Sequence, residues 1–507
     1  MIVPFLKRLF FIKKASWAER HFVLILIIGA VLAALISLAI GLNQSVWFDE
    51  AYSIFLAKQS VAELIHLTSI DGHPPLYYLL LKGWAALFGF GELALRSLSV
   101  IFFAGSVVVA GLLVKRVFGL RATLLTLPLL VLAPFMLRYG FEIRMYALAS
   151  LIGIAATYTL IAARETTDSR RQWILYGVYA LLVAIGVYTL YYTALLWVAH
   201  LAWLVWMAAK ERQSLLSARW PVAFVASVIL FIPWLPTFLS QLGNGALSPV
   251  VRTLNLEQLL GVVTFNFLYQ PAWQPGMIGA FAILFVIIAV VYFAIQAFRH
   301  ASTHERNYLV LFGLYMLVPL VILMLVSLLK PMYIERYFAH IIIGGLIFLG
   351  ACSALALAHK KSVRVWIVAV GVFAVMMSGT IHLLQIGNYN FQRSQLPTTK
   401  YAAQAVASTC NSDSLIVAKD PYVAIELLYY LPNCQVYFFS ETAELSGGYA
   451  PVSNSPLHVV TPNDLVGLVE RVYYIYDGEP DADFSGRFSE LSDQVFDKTH
   501  VREFSAE

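Results

Sequence analysis

Between residues 173 and 209 the chain runs for 37 residues without a charged side chain. One membrane-crossing helix needs about 20 apolar residues. This run is too long for a single crossing and must turn once, and Tyr188, Thr189, Tyr191 and Tyr192 mark a polar middle. Comparable apolar runs recur at 22–42, 97–114, 122–138 (which ends on Arg138), 145–163, 221–238, 276–298, 308–329, 337–358 and 365–384. With 173–190 and 192–209 they make eleven expected spans. Only 12% of the residues are charged and 60% are hydrophobic, where a soluble chain carries about 25% charged residues. That balance excludes an ordinary soluble protein, and it excludes disorder, which needs low hydrophobicity and high charge. A membrane β-barrel would show short alternating segments instead. The expectation is an α-helical polytopic membrane protein.

The first run follows Lys7, Arg8, Lys13, Lys14 and Arg20. It is longer than the apolar core of a cleaved signal peptide and lacks a small-residue cleavage site, so it reads as a retained first span. Residues 74–89 are apolar but short, with Lys82 in their middle. If they do not cross, residues 1–20 and the loops facing the same side hold 19 Lys/Arg, against 8 on the other side. Basic loops favour the cytoplasm. Residues 74–89 are therefore expected to lie along the outer surface as an interfacial helix. The N-terminus is then inside, and the C-terminus and a large first loop, 43–96, are outside.

The net charge of +5 hides an asymmetry. Residues 385–507 hold 7 Lys/Arg and 16 Asp/Glu; residues 1–384 hold 27 and 13. The basic excess borders the spans and reads as topology, whereas nucleic-acid binding would want a basic soluble face. Two domains are expected: a transmembrane catalytic domain, 1–389, and a soluble extracytoplasmic α/β domain, 390–507. In the latter, Thr398–Thr409 and Pro421–Leu431 read as helices, and Ser414–Ala418, Gln435–Phe439 and Val472–Tyr476 as strands. Of three cysteines, Cys352 sits in a span. Cys410 and Cys434 form a disulfide if the tail is outside the cytoplasm; two free buried thiols are the alternative. No Cys pair has metal-site spacing.

Polar residues in a membrane protein are expensive and tend to be functional. Here they crowd the expected outer side in four clusters. Trp47–Tyr52 holds the adjacent carboxylates Asp49 and Glu50. A carboxylate near hydrocarbon loses solvation and becomes a better base, and neighbours that point differently let one do chemistry while the other orients structure. The plainer reading is an acidic pair favoured by a helix N-terminus. Asp71-Gly72-His73-Pro74-Pro75 precedes Tyr77; Asp71 or His73 either caps the helix that Pro starts or touches a ligand. Arg138-Tyr139-Gly140-Phe141-Glu142-Ile143-Arg144-Met145-Tyr146 flanks one carboxylate with two guanidiniums. Such forks suit phosphate, though a structural Glu–Arg pair is equally open. Lys330–Tyr337 adds Arg336, as a further phosphate contact or an interfacial anchor.

At these residues the chain resembles the bacterial membrane glycosyltransferases of family 39, in the GT-C superfamily. That group includes protein O-mannosyltransferases and the lipid A aminoarabinose transferase. The matching stretches are WFDEAYS at 47–53, HPPLYYLLL at 73–81 and RYGFEIRMYAL at 138–148. VYTLYYTALLW at 187–197, FIPWLP at 231–236 and ERYF at 335–338 match more weakly. The resemblance covers about residues 1–350 and says little about the tail. It implies a GT-C fold and an inverting transferase whose donor is a sugar on a polyprenyl phosphate. It also implies transfer to an acceptor hydroxyl on the outer face of the bacterial cytoplasmic membrane. Asp49 takes the place of the catalytic base, with Glu50 beside it and Glu142 as the assisting acid. Arg138, Arg144 and Arg336 match donor-phosphate residues, and His73, Tyr52, Tyr77 and Tyr146 are expected to line the site. The resemblance implies no tight catalytic metal and no cofactor; a bound divalent cation stays open. One departure stands out: many relatives read Tyr-Thr-His-Tyr where this chain has Tyr188-Thr189-Leu190-Tyr191, which puts a headgroup contact in doubt.

The chemistry of the residues agrees. A carboxylate can take a proton from a hydroxyl, and arginines can stabilise a leaving lipid phosphate. The expected partners are the lipid-linked donor, a lipid, glycan or protein acceptor, and membrane lipids, with no nucleic acid. The rival readings are a lipid-linked glycan flippase, a glycan ligase or polymerase, and a non-catalytic envelope receptor. A flippase would need charge along a path through the bilayer.

Overall fold

The computed structural model describes residues 17–214, 218–243, 256–269, 276–329, 334–359, 363–386, 399–410, 414–439, 458–459, 469–480, 484, 488–496 and 499–506. Lys330–Tyr333 of the fourth cluster lie outside them. Among the described residues, ten helices are long and apolar enough to cross a membrane, and the protein is a multi-pass membrane protein. The eleventh expected span is found inside one of the ten. Residues Glu92–Leu132 form a 41-residue helical element that breaks at Gly119, where φ is +80°. At 1.5 Å per residue a straight helix of that length would be about twice as long as a bilayer core is thick. A left-handed φ is easy for glycine and strained for other residues, and it divides the element into two limbs. The 173–209 run turns where its polar middle predicts: one helix ends at Thr189 and the next begins at Thr193.

The chain folds into two compact units. The first takes in the described residues of Met1–Ala39, Ser97–Leu235 and Val251–Gln385, and holds most of the long helices. Its central element is Ala339–His359, most of whose residues are buried. Deep in this unit His200 is satisfied from both sides, by the Tyr179 hydroxyl at 3.1 Å and the Thr157 hydroxyl at 3.0 Å. Buried polar groups are kept when each finds a partner, so this histidine reads as part of the helix packing.

The second unit takes in the described residues of Ile40–Arg96, Pro236–Val250 and Ile386–Glu507. Its C-terminal part is a six-stranded sheet in the order β3-β2-β1-β4-β6-β5. The strands are β1 Ser414–Ala418, β2 Val436–Phe439, β3 His458–Val459, β4 Arg471–Asp477, β5 Phe488–Phe496 and β6 Thr499–Ala506. β3, β2, β1 and β4 run parallel, and β6 and β5 add an antiparallel edge. Alternate residues face opposite sides of a strand, and both faces are covered. Ile416, Ala418, Tyr473 and Ile475 pack with helices Thr399–Val406 and Pro421–Tyr430; Leu415, Val417, Val472 and Tyr474 pack with Phe484, Phe488 and Phe504. Cys410 and Cys434 are joined by a disulfide.

The first loop is a set of three helices, Phe48–Lys58, Val61–Ile70 and Leu76–Phe88. The last is 13 residues long, too short to cross. The Lys82 ammonium donates to the carbonyls of Ala57 and Gln59, at 3.3 and 2.6 Å, at the end of Phe48–Lys58. A cation there meets the negative end of the helix dipole, which accounts for a lysine in the middle of an apolar run.

Candidate active site

In the second unit Asp49 and Glu50 occupy the first turn of Phe48–Lys58, and both are buried. Glu50 is fully enclosed and accepts two bonds from Arg96, at 3.1 Å from Nε and 2.7 Å from a terminal nitrogen. Arg96 is equally enclosed and also donates to the carbonyls of Gly41, Gln44 and Ser45. It lies 3.5 Å from Glu92, one turn earlier in its own helix. A bidentate pair of this kind is rigid, and a buried charge pair persists only when its remaining donors are satisfied. Glu50 therefore fixes the chain from residue 41 into the helix, and its neighbour Asp49 is held at the same turn. The Ser53 hydroxyl donates to the Asp49 carbonyl at 2.9 Å.

Tyr52 follows one turn later, buried and 6.1 Å from the Phe48 ring. Asp71 ends the Val61–Ile70 helix, its N–H bonded to the Leu67 carbonyl. His73 lies 3.5 Å from the Asp71 carboxylate. The residue at the N-cap of the next helix is Pro75, so neither Asp71 nor His73 caps it, and that plainer reading is corrected. Proline fixes its own φ and supplies no side-chain acceptor, so the helix starts on backbone geometry. Gln241 donates to the carbonyls of Thr68, Ser69 and Asp71 and so closes the end of Val61–Ile70. Tyr77 is fully buried beside Tyr78.

The first unit holds the other candidates. Helix Pro134–Phe141 carries Arg138 near its end. Arg138 lies 3.3 Å from the Glu142 carboxylate and over the rings of Tyr139 and Phe141. The chain turns sharply there, the Arg144 N–H bonding the Glu142 carbonyl at 2.6 Å. Arg138, Glu142, Arg144 and Tyr146 are all buried. The Tyr139 ring meets Tyr146 edge-on at 5.2 Å. Burial pushes the Tyr139 phenol up, with Tyr269 and Glu142 adding to the shift while Arg138 and Arg336 oppose it. The Tyr269 phenol is raised in the same way, chiefly by burial and against Arg138. Arg336 is half-buried against the Tyr337 ring, and Tyr337 stacks on Tyr192 at 4.5 Å. Gly140 is seated so closely that a Cβ there would lie 2.6 Å from Phe103 and 2.8 Å from Ser37; Ser37 also donates to the Leu137 carbonyl.

Two classes of residue escaped the sequence reading. Arg96, Glu92 and Lys400 organise the Asp49 turn, and the available signal was the Glu92/Arg96 pair four residues apart on a helix. Tyr139 and Tyr269 surround Arg138, and nothing in the chain order links residue 269 to residue 138. Among the described residues no three His, Cys, Asp or Glu side chains gather as a metal set.

The family described as dolichyl-phosphate-mannose-protein mannosyltransferase matches residues 72–238. That segment includes the 73–81, 138–148, 187–197 and 231–236 stretches and leaves out Asp49, Glu50 and Arg336. The fold is similar to that of ArnT from Cupriavidus metallidurans, at 12% identity over 96% of this chain and 98% of that one, with a TM-score of 0.60. This chain has a GT-C fold, and about a third of it matches a family of membrane glycosyltransferases. The same likeness holds for ArnT bound to undecaprenyl phosphate. The Archaeoglobus fulgidus oligosaccharyltransferase tethered with an acceptor peptide is similar at 13% identity, over 83% of this chain and 64% of that one, with a TM-score of 0.50. No curated protein matches the chain. The fold that the motifs imply is thus the fold observed.

Proposed function

We propose that the enzyme transfers a sugar from a polyprenyl-phosphate-linked donor to an acceptor hydroxyl, with inversion, on the outer face of the bacterial cytoplasmic membrane. Asp49 takes the hydroxyl proton. The acceptor oxygen bonds to the anomeric carbon as the bond from that carbon to the phosphate oxygen breaks. The electron pair leaves on the polyprenyl phosphate, whose growing charge Arg138, Arg144 and Arg336 stabilise. Glu142 assists, and His73, Tyr52, Tyr77 and Tyr146 line the reacting groups. Glu50 positions the Asp49 turn through Arg96.

The observation that carries this reading is the division between the adjacent carboxylates: Glu50 is clamped by Arg96, and Asp49 shares its buried turn. A buried carboxylate on a rigid turn suits a general base. The three arginines around Glu142 and Tyr139 supply cations for a phosphate. The solved ArnT bound to undecaprenyl phosphate supports a lipid phosphate as leaving group. The basic loops support an outer location for the 43–96 loop.

The test offers purified enzyme in nanodiscs a panel of radiolabelled polyprenyl-phosphate sugars with envelope extract, wild type beside Asp49→Asn. Label passing to an extract component with wild type alone supports the assignment and identifies the acceptor class. A normal rate from folded Asp49→Asn removes Asp49 as base. No transfer from any donor, with lipid binding intact, turns the reading toward the flippase or the receptor.

A further inference from the structure

The chain between residues 41 and 50 is held from two directions within the second unit. Arg96 holds it from the membrane-proximal helix. The C-terminal domain holds it from the other. The Val46 N–H, fully buried, donates to the Tyr430 hydroxyl at 2.6 Å. The Lys400 N–H donates to the Ser45 hydroxyl at 3.3 Å, and the Lys400 ammonium lies 3.0 Å from Glu92. Glu92 is the same carboxylate that lies 3.5 Å from Arg96. The Tyr422 ring meets the Phe48 ring edge-on at 4.6 Å, one residue before Asp49. Tyr429 donates to the Phe90 carbonyl at 3.0 Å. Burial and Glu92 push the Tyr430 phenol up, so its oxygen stays a neutral hydroxyl able to accept the Val46 N–H.

These contacts arise from two short helices. Lys400 is the second residue of Thr399–Val406, and Tyr422, Tyr429 and Tyr430 belong to Pro421–Tyr430. The disulfide joins Cys410 to Cys434 and so closes the loop that contains the second helix and β1. Tyr422, Tyr430 and Lys400 converge on residues 45–48, the segment that leads into Asp49.

We infer that the C-terminal domain is a positioning element for Asp49, acting through Tyr430, Lys400 and Tyr422 on residues 45–50, with the Cys410–Cys434 disulfide holding its contact helix in place. This rests on the assignment of Asp49 as base. A reacting group displaced by about 1 Å can lose about a hundredfold in rate, so loosening this hold acts on kcat, while the donor KM, set by other residues, stays put.

The experiment compares full-length wild type, Tyr430→Phe, Lys400→Met, Lys400→Arg and Asp49→Asn in nanodiscs. Arg471→Gln, on an exposed part of the same domain, serves as control. Two readouts are taken: amide exchange over residues 44–58, and kcat and KM with whichever radiolabelled undecaprenyl-phosphate sugar wild type turns over. The expected result is faster exchange over 44–58 and a kcat lowered roughly tenfold or more at unchanged KM. Tyr430→Phe and Lys400→Met show it, Lys400→Arg recovers most of the rate, and the control stays at wild type. Reduction of the disulfide in wild type lowers kcat in the same way and reoxidation restores it, which reads the inference even if Tyr430→Phe fails to fold. Wild-type exchange, or wild-type kcat with loosened exchange, overturns it. So does a loss that raises KM and appears equally in the control. A normal rate in Asp49→Asn refutes the base assignment instead, and the exchange data still report whether the tail holds the loop.

Discussion

Replacing Arg96 with methionine is the most informative single perturbation of the Asp49 turn. The substitution keeps an unbranched apolar stem and removes the guanidinium. Five groups lose their donor or counter-charge: the Glu50 carboxylate and the carbonyls of Gly41, Gln44 and Ser45 directly, and Glu92 at 3.5 Å. Glu50 and Arg96 are both fully buried. Removing one partner of such a pair costs about 3–5 kcal/mol, because the other charge stays behind without compensation. At about 1.4 kcal/mol per tenfold, local opening of residues 44–58 should rise by roughly a hundredfold to a few thousandfold. Native-state amide exchange in nanodiscs measures this locally, where a melting temperature would mix two units. The Ala51 N–H, bonded to the Trp47 carbonyl at 2.9 Å, and the Val46 N–H are the reporters. The Tyr146–Glu165 helix, in the other unit, is the internal control. A second variant isolates the cause. Glu50→Leu added to Arg96→Met removes the stranded charge, so the double variant should exchange more slowly than the single one. It stays faster than wild type, because the three carbonyls remain without their donor. Exchange within about threefold of wild type in the single variant would refute the argument that this pair fixes the turn. A double variant no better than the single would show that the carbonyls, and not Glu50, carry the cost.

Three further outcomes follow from the same geometry. Gly140→Ala puts a methyl group into the Phe103 ring and the Ser37 hydroxyl; overpacking of this kind costs about 1–3 kcal/mol, visible as a lower unfolding midpoint, and Phe103→Leu in the same chain should recover part of it. Gln241→Leu removes the donor to the carbonyls of Thr68, Ser69 and Asp71; each lost bond is worth about 1 kcal/mol, so proteolysis between residues 68 and 75 should quicken, and an unchanged digestion pattern would count against the capping role. Cys410→Ser with Cys434→Ser opens a loop with a sequence separation of 24; the loop-entropy relation gives about 3.5 kcal/mol, to be read as a lower denaturant midpoint of the C-terminal domain.

Legibility in the sequence followed the length scale of the interaction. The spans were readable because membrane crossing needs a local property, about 20 apolar residues in a row. Two of the expected spans share the element Glu92–Leu132, whose two limbs meet at Gly119. β1, β2 and β4 were readable because both of their faces pack on core clusters and their middles are apolar or aromatic. β5 and β6 were not: β5 leaves most of its side chains exposed at the sheet edge, and β6, THVREFSA, mixes its buried Thr499, Val501 and Phe504 with polar residues. In β5, FSELSDQVF, only Phe488 is buried, and its polar neighbours carry no strand signal. The same reasoning explains why the residues by themselves revealed an adjacent Asp-Glu pair but did not divide it, the choice of Asp49 coming only from the resemblance. Both residues belong to one local motif, and local properties treat them alike. What distinguishes them is Arg96, brought against Glu50 from 46 positions away, and Tyr430, brought against Val46 from 384. A charge at the end of a span, one helical turn after a glutamate, is ordinary in sequence and becomes decisive only when the fold shows which carboxylate it meets. The motif that holds Asp49 and Glu50 is therefore written locally, while the difference in surroundings between the two carboxylates is written in contacts between distant parts of the chain.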